Sequence, residues 1–313
     1  MRSASLISNK TVIRLFRRQL AYIALLMLAT ACVIHTRAAL GAEENALDIQ
    51  GKWPDKFHDT LRYRRVSATQ YPSGRRTARE YLATINVAVL THRGEAAILS
   101  WKYTNLSLNG EPMADLALEL SVTADGVVEL LNIDDLQRKV LQEAQTKPKS
   151  GTPMEFGGDE LAKMAANKEA LGNFYLRDAE VFFYPQGTTV RRDRPVEFDN
   201  EIRGFGSDTM KAVDRWTVLA QRDAPASTIA IEWTQDVDRG DVERFFSALG
   251  KALGMKIDAN QGSLTKKGLY ALDRRTFWPH VALVSTKTSV QKNYEQFDSV
   301  EMRSSLLDPN WKH

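Results

Sequence analysis

Apolar and polar residues alternate along much of this chain. Tyr81, Ala83, Ile85, Val87 and Val89 alternate with Glu80, Thr84, Asn86 and Ala88. Leu116, Leu118, Leu120 and Val122 alternate with Ala117, Glu119, Ser121 and Thr123. Ile229, Ile231 and Trp233 alternate with Thr228, Ala230, Glu232 and Thr234. A period of two with one polar set predicts antiparallel sheet, packed on one face and wet on the other. Ser73-Gly74, Arg93-Gly94, Asn109-Gly110, Asp125-Gly126 and Asp223-Ala224-Pro225 punctuate these runs and predict hairpin turns. Further strands are expected near 268–274, 279–287 and 293–303. Leu61 and Tyr63 share one phase while Val66 and Ala68 share the other. That slip predicts a bulge near Arg64–Arg65.

Three stretches change to a helical period. Val242, Phe245, Phe246, Leu249, Ala252 and Leu253 form one apolar stripe, with Asp241 placed to cap its start and Gly254 its end. Leu161, Met164, Ala165 and Leu171 predict a second helix over about 160–171, between Asp159 and Gly172. Leu136, Val140, Leu141 and Ala144 predict a third after Asp134. The segment Thr146-Lys147-Pro148-Lys149-Ser150-Gly151-Thr152-Pro153 is the most linker-like in the chain. The fold class is therefore α+β: a long antiparallel meander, as a curved sheet or half-barrel of one lobe or two similar lobes. About three amphipathic helices are expected on one face. The expected organisation is a meander with helix over 43–147, a linker over 148–158, and a helix with a second meander over 159–313. The two lobes are free to join as one domain.

The first 42 residues follow a different rule. Arg2, Lys10, Arg14, Arg17 and Arg18 precede an apolar run from Leu20 to Ile34, with no acidic residue. Fifteen residues are short of the roughly 20 that span a bilayer core. A basic start, a short apolar middle and small residues beyond form the secretory pattern. Ala38, Ala39 and Ala42 offer cleavage points, and the bond after Ala42 is favoured. Two other routes stay open. Leu28-Ala29-Thr30-Ala31-Cys32 resembles a lipoprotein signal in which Cys32 takes the lipid, and Phe16-Arg17-Arg18-Gln19-Leu20 resembles a twin-arginine signal. The expected location is the periplasm or beyond, with a membrane tether if Cys32 is lipidated.

This segment changes the reading of charge. The chain has 42 Lys and Arg against 39 Asp and Glu. Six of the basic residues and no acidic ones lie in 1–42, so the remainder carries a formal charge of −3. The sequence pI near 8.8 belongs to the leader and is no nucleic-acid footprint. Cys32 is the only cysteine, so the part beyond Ala42 has no disulfide, thiolate nucleophile or Cys metal site.

Little else carries chemistry. His58, His92, His280 and His313 are widely spaced, with no zinc-type cluster. No Gly-x-Ser-x-Gly elbow or Gly-x-Gly-x-x-Gly loop occurs, and Gly157-Gly158-Asp159 lacks the Lys and Ser/Thr of a phosphate loop. Asp236, Asp238, Asp241 and Glu243 form the densest acidic cluster, with spacing that departs from a calcium loop at Gly240 and Ser247. They suit a strand exit and a helix N-terminus, where acids favour the helix dipole. Neither metal nor cofactor is expected. A hydrolase with a site assembled only in space stays open.

The first hairpin concentrates Arg62, Arg64, Arg65, Arg75, Arg76 and Arg79 among Tyr63, Tyr71 and Tyr81. Paired strands would gather much of that charge for an anionic envelope partner, such as lipid head groups or an acidic protein face. The alternative is a solvated edge that uses Arg against aggregation.

An exported, long-stranded antiparallel sheet with a few helices on one face resembles bacterial lipoprotein carriers and related half-barrel envelope proteins in outline. In those the sheet curls around a hydrophobic cavity and helices form a lid. No motif in this chain carries the resemblance, and no residue transfers from it. It implies a non-enzymatic protein binding an apolar or amphipathic ligand. Trp101, Tyr103, Trp233, Phe245 and Phe246 are the candidate lining residues; the alternative is that they fill an ordinary core. An assembly factor that meets another envelope protein is the second functional expectation.

Overall fold

The computed structural model describes residues 45–71, 73–146, 158–203, 209–220, 227–253, 262–291 and 294–307. The export segment, Cys32, the 148–157 linker, Asp223–Pro225, Gly254 and His313 lie outside them. Asn45–His313 form one compact unit.

The chain runs β1 (Ala46–Asp48), β2 (His58–Gln70), β3 (Arg76–Arg93), β4 (Ala96–Leu108), β5 (Glu111–Pro112), β6 (Leu116–Val122) and β7 (Val128–Leu130). Three helices follow: α1 (Ile133–Thr146), α2 (Gly158–Ala166) and α3 (Lys168–Phe183). Then come β8 (Thr189–Arg191), β9 (Val196–Arg203), β10 (Thr209–Val218), β11 (Thr228–Val237), α4 (Arg239–Leu253), β12 (Ser263–Asp273), β13 (Pro279–Gln291) and β14 (Tyr294–Ser304).

Twelve strands build one unclosed antiparallel sheet in the order β7-β6-β4-β3-β2-β14-β13-β12-β11-β10-β9, with β5 beside β4. The first long strand, β2, pairs with the last, β14, so both halves of the chain meet at mid-sheet through Leu61↔Ser304 to Gln70↔Glu295. Elsewhere the sheet grows by hairpins. At Asn109-Gly110 both residues take positive φ, 51° and 86°, which suits the twist of the flanking strands.

One face of the sheet carries the core. Leu61, Tyr63, Ile85, Val87, Trp101, Leu118, Trp216, Trp233, Tyr270 and Met302 are buried there in a single cluster. Leu136 of α1 and Leu176, Ala179, Phe182 and Phe183 of α3 complete it. A smaller cluster of Val140, Leu161, Ala165 and Leu171 joins the three consecutive helices. Val242 and Phe246 of α4 pack against Val237 and Leu264 on the same face. The opposite face carries ion pairs such as Arg64–Glu80 at 2.7 Å and Arg215–Glu197 at 2.6 Å.

The structure corrects four local expectations. Four helices are present among the described residues, not three, because the stretch 160–171 is interrupted at Asn167 and continues as α3 to Phe183. Gly172 does not end that helix but lies inside it, at a cost of about 1 kcal/mol relative to Ala that the buried Leu176, Ala179, Phe182 and Phe183 offset. No bulge occurs at Arg64–Arg65: the β2–β3 register is unbroken from His58↔Ala88 to Gln70↔Arg76. The phase slip arises because Arg65 and Ser67 take the helix-bearing positions and leave Val66 and Ala68 on the open face. Finally, α4 is capped by Asp238, whose carboxylate accepts the Asp241 amide at 3.0 Å. Asp241 instead accepts the Lys211 amide at 2.7 Å and ties the helix to β10.

Candidate ligand-binding face

Two polar networks interrupt the aromatic core, and both hold α3. In the first, the Arg65 guanidinium lies on the helix-bearing side of β2. Its Nη1 donates to Asp178 of α3 at 2.8 Å, and its Nε donates to Asp298 of β14 at 3.0 Å. Nη2 completes a bidentate pair with Asp298, which also accepts the Ser67 hydroxyl. The Tyr103 hydroxyl donates to Asp178 at 3.2 Å. Arg65 is 4 % exposed and the Asp178 and Asp298 side chains are 13 % and 24 % exposed, so these charges meet largely, though not wholly, out of water. Burial, and then the nearby Asp178 charge, push the Tyr63 and Tyr103 hydroxyls well above the usual tyrosine range.

The second network sits beyond the end of α3. Asp214 of β10 accepts Tyr184 Oη at 2.6 Å, Asn200 Nδ2 at 2.9 Å and Gln235 Nε2 at 2.8 Å. Trp216 and Trp233 enclose Tyr184, with ring centroids 5.7 and 4.6 Å from it. Across the ladder Gln235 faces Lys266. Burial pushes the Lys266 amine down, while Asp214 pulls the other way. Trp233 Nε1 and Gln235 Oε1 are buried without a hydrogen-bond partner.

The sheet face extends past the helices. Tyr81 and Leu116 pack against the core but stay half-exposed, and Leu108, register partner of Tyr81, is half-exposed as well. Beyond them on the same face come Ser67 and Arg79, partners across β2 and β3, and then Thr69 and Thr77. The surface therefore grades from aromatic core through half-exposed apolar side chains to a polar rim.

The sequence-derived lining residues fall in two places. Trp101, Tyr103 and Trp233 are buried in the main cluster, with Trp101 5.5 Å from Phe182 and Tyr103 5.7 Å from Tyr63. Phe246 is buried under α4, with Phe245 beside it at 5.2 Å. These five face the same side of the sheet, and their neighbours are core side chains. The hairpin arginines divide between faces. Arg62, Arg64 and Arg76 lie on the open side, Arg65 and Arg79 on the helix-bearing side, and Arg75 at the turn over the Tyr71 ring. Arg64 pairs with Glu80, and Arg76 donates to Gln70 at 3.1 Å. The strand pleat alternates neighbouring residues between faces, so arginines close in sequence part company.

Two histidines meet carboxylates. His92 contacts Asp55 at 2.8 Å beside a surface cleft of about 470 Å³. His280 lies 3.5 Å from Ser304 Oγ and 3.9 Å from Asp273. Ser304 accepts the Leu306 amide, and Asp273 accepts the Arg275 and Thr276 amides. Burial raises the Asp273 carboxyl, but those amides bring it below the usual range. Burial pushes His280 below the usual histidine range, against the pull of Asp273 and Asp59. The trio closes the β12–β13 turn and the turn after β14, with a long Ser–His contact and a buried serine. His58 is exposed and 3.4 Å from the Lys56 carbonyl. The two networks around Asp178 and Asp214 escaped sequence reasoning, since their members come from distant strands; the inward phase of Arg65 was their one local sign.

No known family model matches the chain, and no curated protein is significantly similar. Among solved structures, lipovitellin, described for its lipid–protein interactions, aligns at 10 % identity over 82 % of this chain, with a TM-score of 0.45. This chain spans 26 % of lipovitellin's length. DynF from the dynemicin biosynthesis pathway of Micromonospora chersina aligns at 8 % identity over 87 % of this chain and 90 % of its own, with a TM-score of 0.19. Likenesses this distant carry no weight for the site, which stands on its own geometry.

Proposed function

We propose that this is an exported, non-enzymatic protein of the bacterial cell envelope that binds a lipid or similar amphipathic ligand on the helix-bearing face of its sheet. In this reading the unclosed sheet curls as a half-barrel and the helices cover its hollow. The observation that carries the reading is the gradient on that face. Tyr81, Leu108 and Leu116 leave half-exposed apolar surface between the aromatic core, with its buried Arg65 network, and the Ser67, Arg79, Thr69 and Thr77 rim. Here an apolar chain has surface to lie on, and a polar head has the rim hydroxyls to meet. Export, as proposed, would bring the protein to where such ligands are abundant.

The test is native mass spectrometry of protein purified from the periplasmic fraction of cells expressing the full chain, followed by lipid extraction. The expected result is a discrete added mass that extracts as lipid. That mass is lost when Tyr81 and Leu108 are replaced by Ser. Protein that is folded and consistently ligand-free, including after incubation with phospholipid vesicles, overturns the proposal. Fractionation of Cys32→Ala beside the natural chain reads the address: cleavage after Ala42 leaves both soluble, whereas lipidation holds only the natural chain in the membrane.

A further inference from the structure

Strand register sets seven polar side chains in one row across the helix-bearing face. Asp214 of β10 pairs with Gln235 of β11, Gln235 with Lys266 of β12, and Lys266 with Thr286 of β13. Thr286 then pairs with Asp298 of β14, Asp298 with Ser67 of β2, and Ser67 with Arg79 of β3. Directly paired residues share a face, and neighbouring strands stand about 4.8 Å apart. The adjacent row runs Trp233, Gly268, Val284, Val300, Arg65, Tyr81 and Leu108. It is buried from Trp233 to Arg65 and half-exposed at Tyr81 and Leu108. The polar row therefore traces the edge of the core. Lys266, Thr286, Asp298, Ser67 and Arg79 are all half-buried, within reach of a ligand from solvent.

Three consecutive members of the row have chemistry left to offer. Asp298 is held by Arg65 and Ser67, but Arg65 also serves Asp178, so two carboxylates face one guanidinium. The Asp298 side chain is 24 % exposed, and a carboxylate has about four acceptor positions, so it can take a further donor. Among the described residues, neither the Lys266 amine nor the Thr286 hydroxyl has a hydrogen-bond partner. Burial pushes the Lys266 amine down, with Asp214 pulling the other way. An ammonium half-withdrawn from water without an ion pair works against stability, and a bound anion would relieve it. Residues that cost stability where they stand are expected at functional sites.

We infer that Lys266, Thr286 and Asp298 form a head-group site for a zwitterionic phosphoamine of the ethanolamine class. The phosphate lies between the Lys266 amine and the Thr286 hydroxyl, and the ammonium donates to Asp298. Cation, hydroxyl and anion stand on three adjacent strands, and the two-carbon bridge of such a head holds its charges about one strand spacing apart. The inference rests on the lipid-binding reading and names the head of that ligand. From Thr286 to Tyr81 is three strand spacings, about 14 Å, well within the length of an acyl chain.

The experiment is calorimetric titration of protein purified from cells expressing the full chain and stripped of lipid. The probes are dihexanoyl phosphatidylethanolamine, phosphatidylcholine and phosphatidylglycerol, each below its micelle-forming concentration. The ethanolamine lipid is expected to bind at least tenfold more tightly than the choline lipid, whose nitrogen carries no N–H, and than the glycerol lipid, which carries no cation. Lys266→Met should weaken it roughly tenfold and Thr286→Val roughly threefold. Asp298→Asn should remove the preference for ethanolamine over glycerol. Melting curves check that the variants fold; if Asp298→Asn does not, the lipid order in the natural chain and the Thr286→Val loss decide. Equal binding of the three lipids, or an ethanolamine affinity unchanged in Lys266→Met and Thr286→Val, overturns the inference and leaves the lipid-binding reading standing. No binding of any lipid overturns both. O-phosphoethanolamine that competes as well as the lipid supports the head-group site but overturns the lipid reading.

Discussion

Asp178 and Asp214 are both carboxylates on the helix-bearing face, each tied to α3 or the residue that follows it, and they differ in what answers their charge. Asp178 meets a full cation, Arg65, which is shared with Asp298. Asp214 meets three neutral donors, and Lys266, the ladder partner of Gln235, feels its charge. The neutral network is redundant, since Asn200 and Gln235 also reach Tyr184 Oη at 3.0 and 3.3 Å. The charged one is not: a single guanidinium serves two acids. Losing one partner of a buried ion cluster leaves bare charge, whereas losing one member of a neutral network leaves unmatched dipoles.

The strongest test of that contrast is Arg65→Met. It leaves Asp178 and Asp298 facing each other and is expected to cost about 3–5 kcal/mol in urea unfolding. Asp178→Asn should cost less, because Arg65 and Asp298 still form a neutral pair. Next in size is Asp214→Asn, expected to cost about 1–3 kcal/mol, as the remaining amides and hydroxyl rearrange. An Asp214→Asn loss larger than that of Arg65→Met would break the comparison.

Lys266 sharpens it in the opposite direction. Burial lowers its pKa below the usual 10.5. The unfolded chain therefore binds more protons between the two values, and stability rises with pH across that window. Lys266→Met is expected to stabilise the protein at pH 7, with the gain fading as the pH approaches 10.5. Denaturation midpoints at pH 7 and 10 check this, and a destabilised variant at pH 7 would mean that Lys266 acts as a true counter-ion to Asp214. The smallest effect belongs to His280, whose pKa is lowered from 6.5 by burial. The unfolded chain gains its proton first, so stability falls as pH drops below 6.5. His280→Gln should flatten that part of the melting-temperature profile.

Local sequence was informative wherever one residue's neighbours along the chain decided its environment. Alternation located β3, β6 and β11, and Asn-Gly and Asp-Gly pairs located turns, because pleat and turn conformation are properties of a few consecutive residues. The helical stripe of Val242, Phe245 and Phe246 marked α4 for the same reason. Charge counting separated the basic first 42 residues from a slightly acidic remainder. Local signals failed where a long-range contact outweighed them. Gly172 looked like a helix stop, but the buried face of α3 carried the helix through it. The phase slip at Arg65 looked like a bulge, but an inward arginine with two distant acids accounts for it.

By itself, the sequence determined a mostly antiparallel, strand-built fold with a few helices and the identity of the large apolar side chains. Only the tertiary structure decided that β2 and β14 join the two halves in one sheet, that Asp178, Asp298 and Arg65 meet, and that Trp53 is buried against Phe183 and Trp278. Period and propensity act over a few residues. Pairing of strands more than 200 positions apart is chosen by burial of a shared face, which no short stretch of the chain encodes.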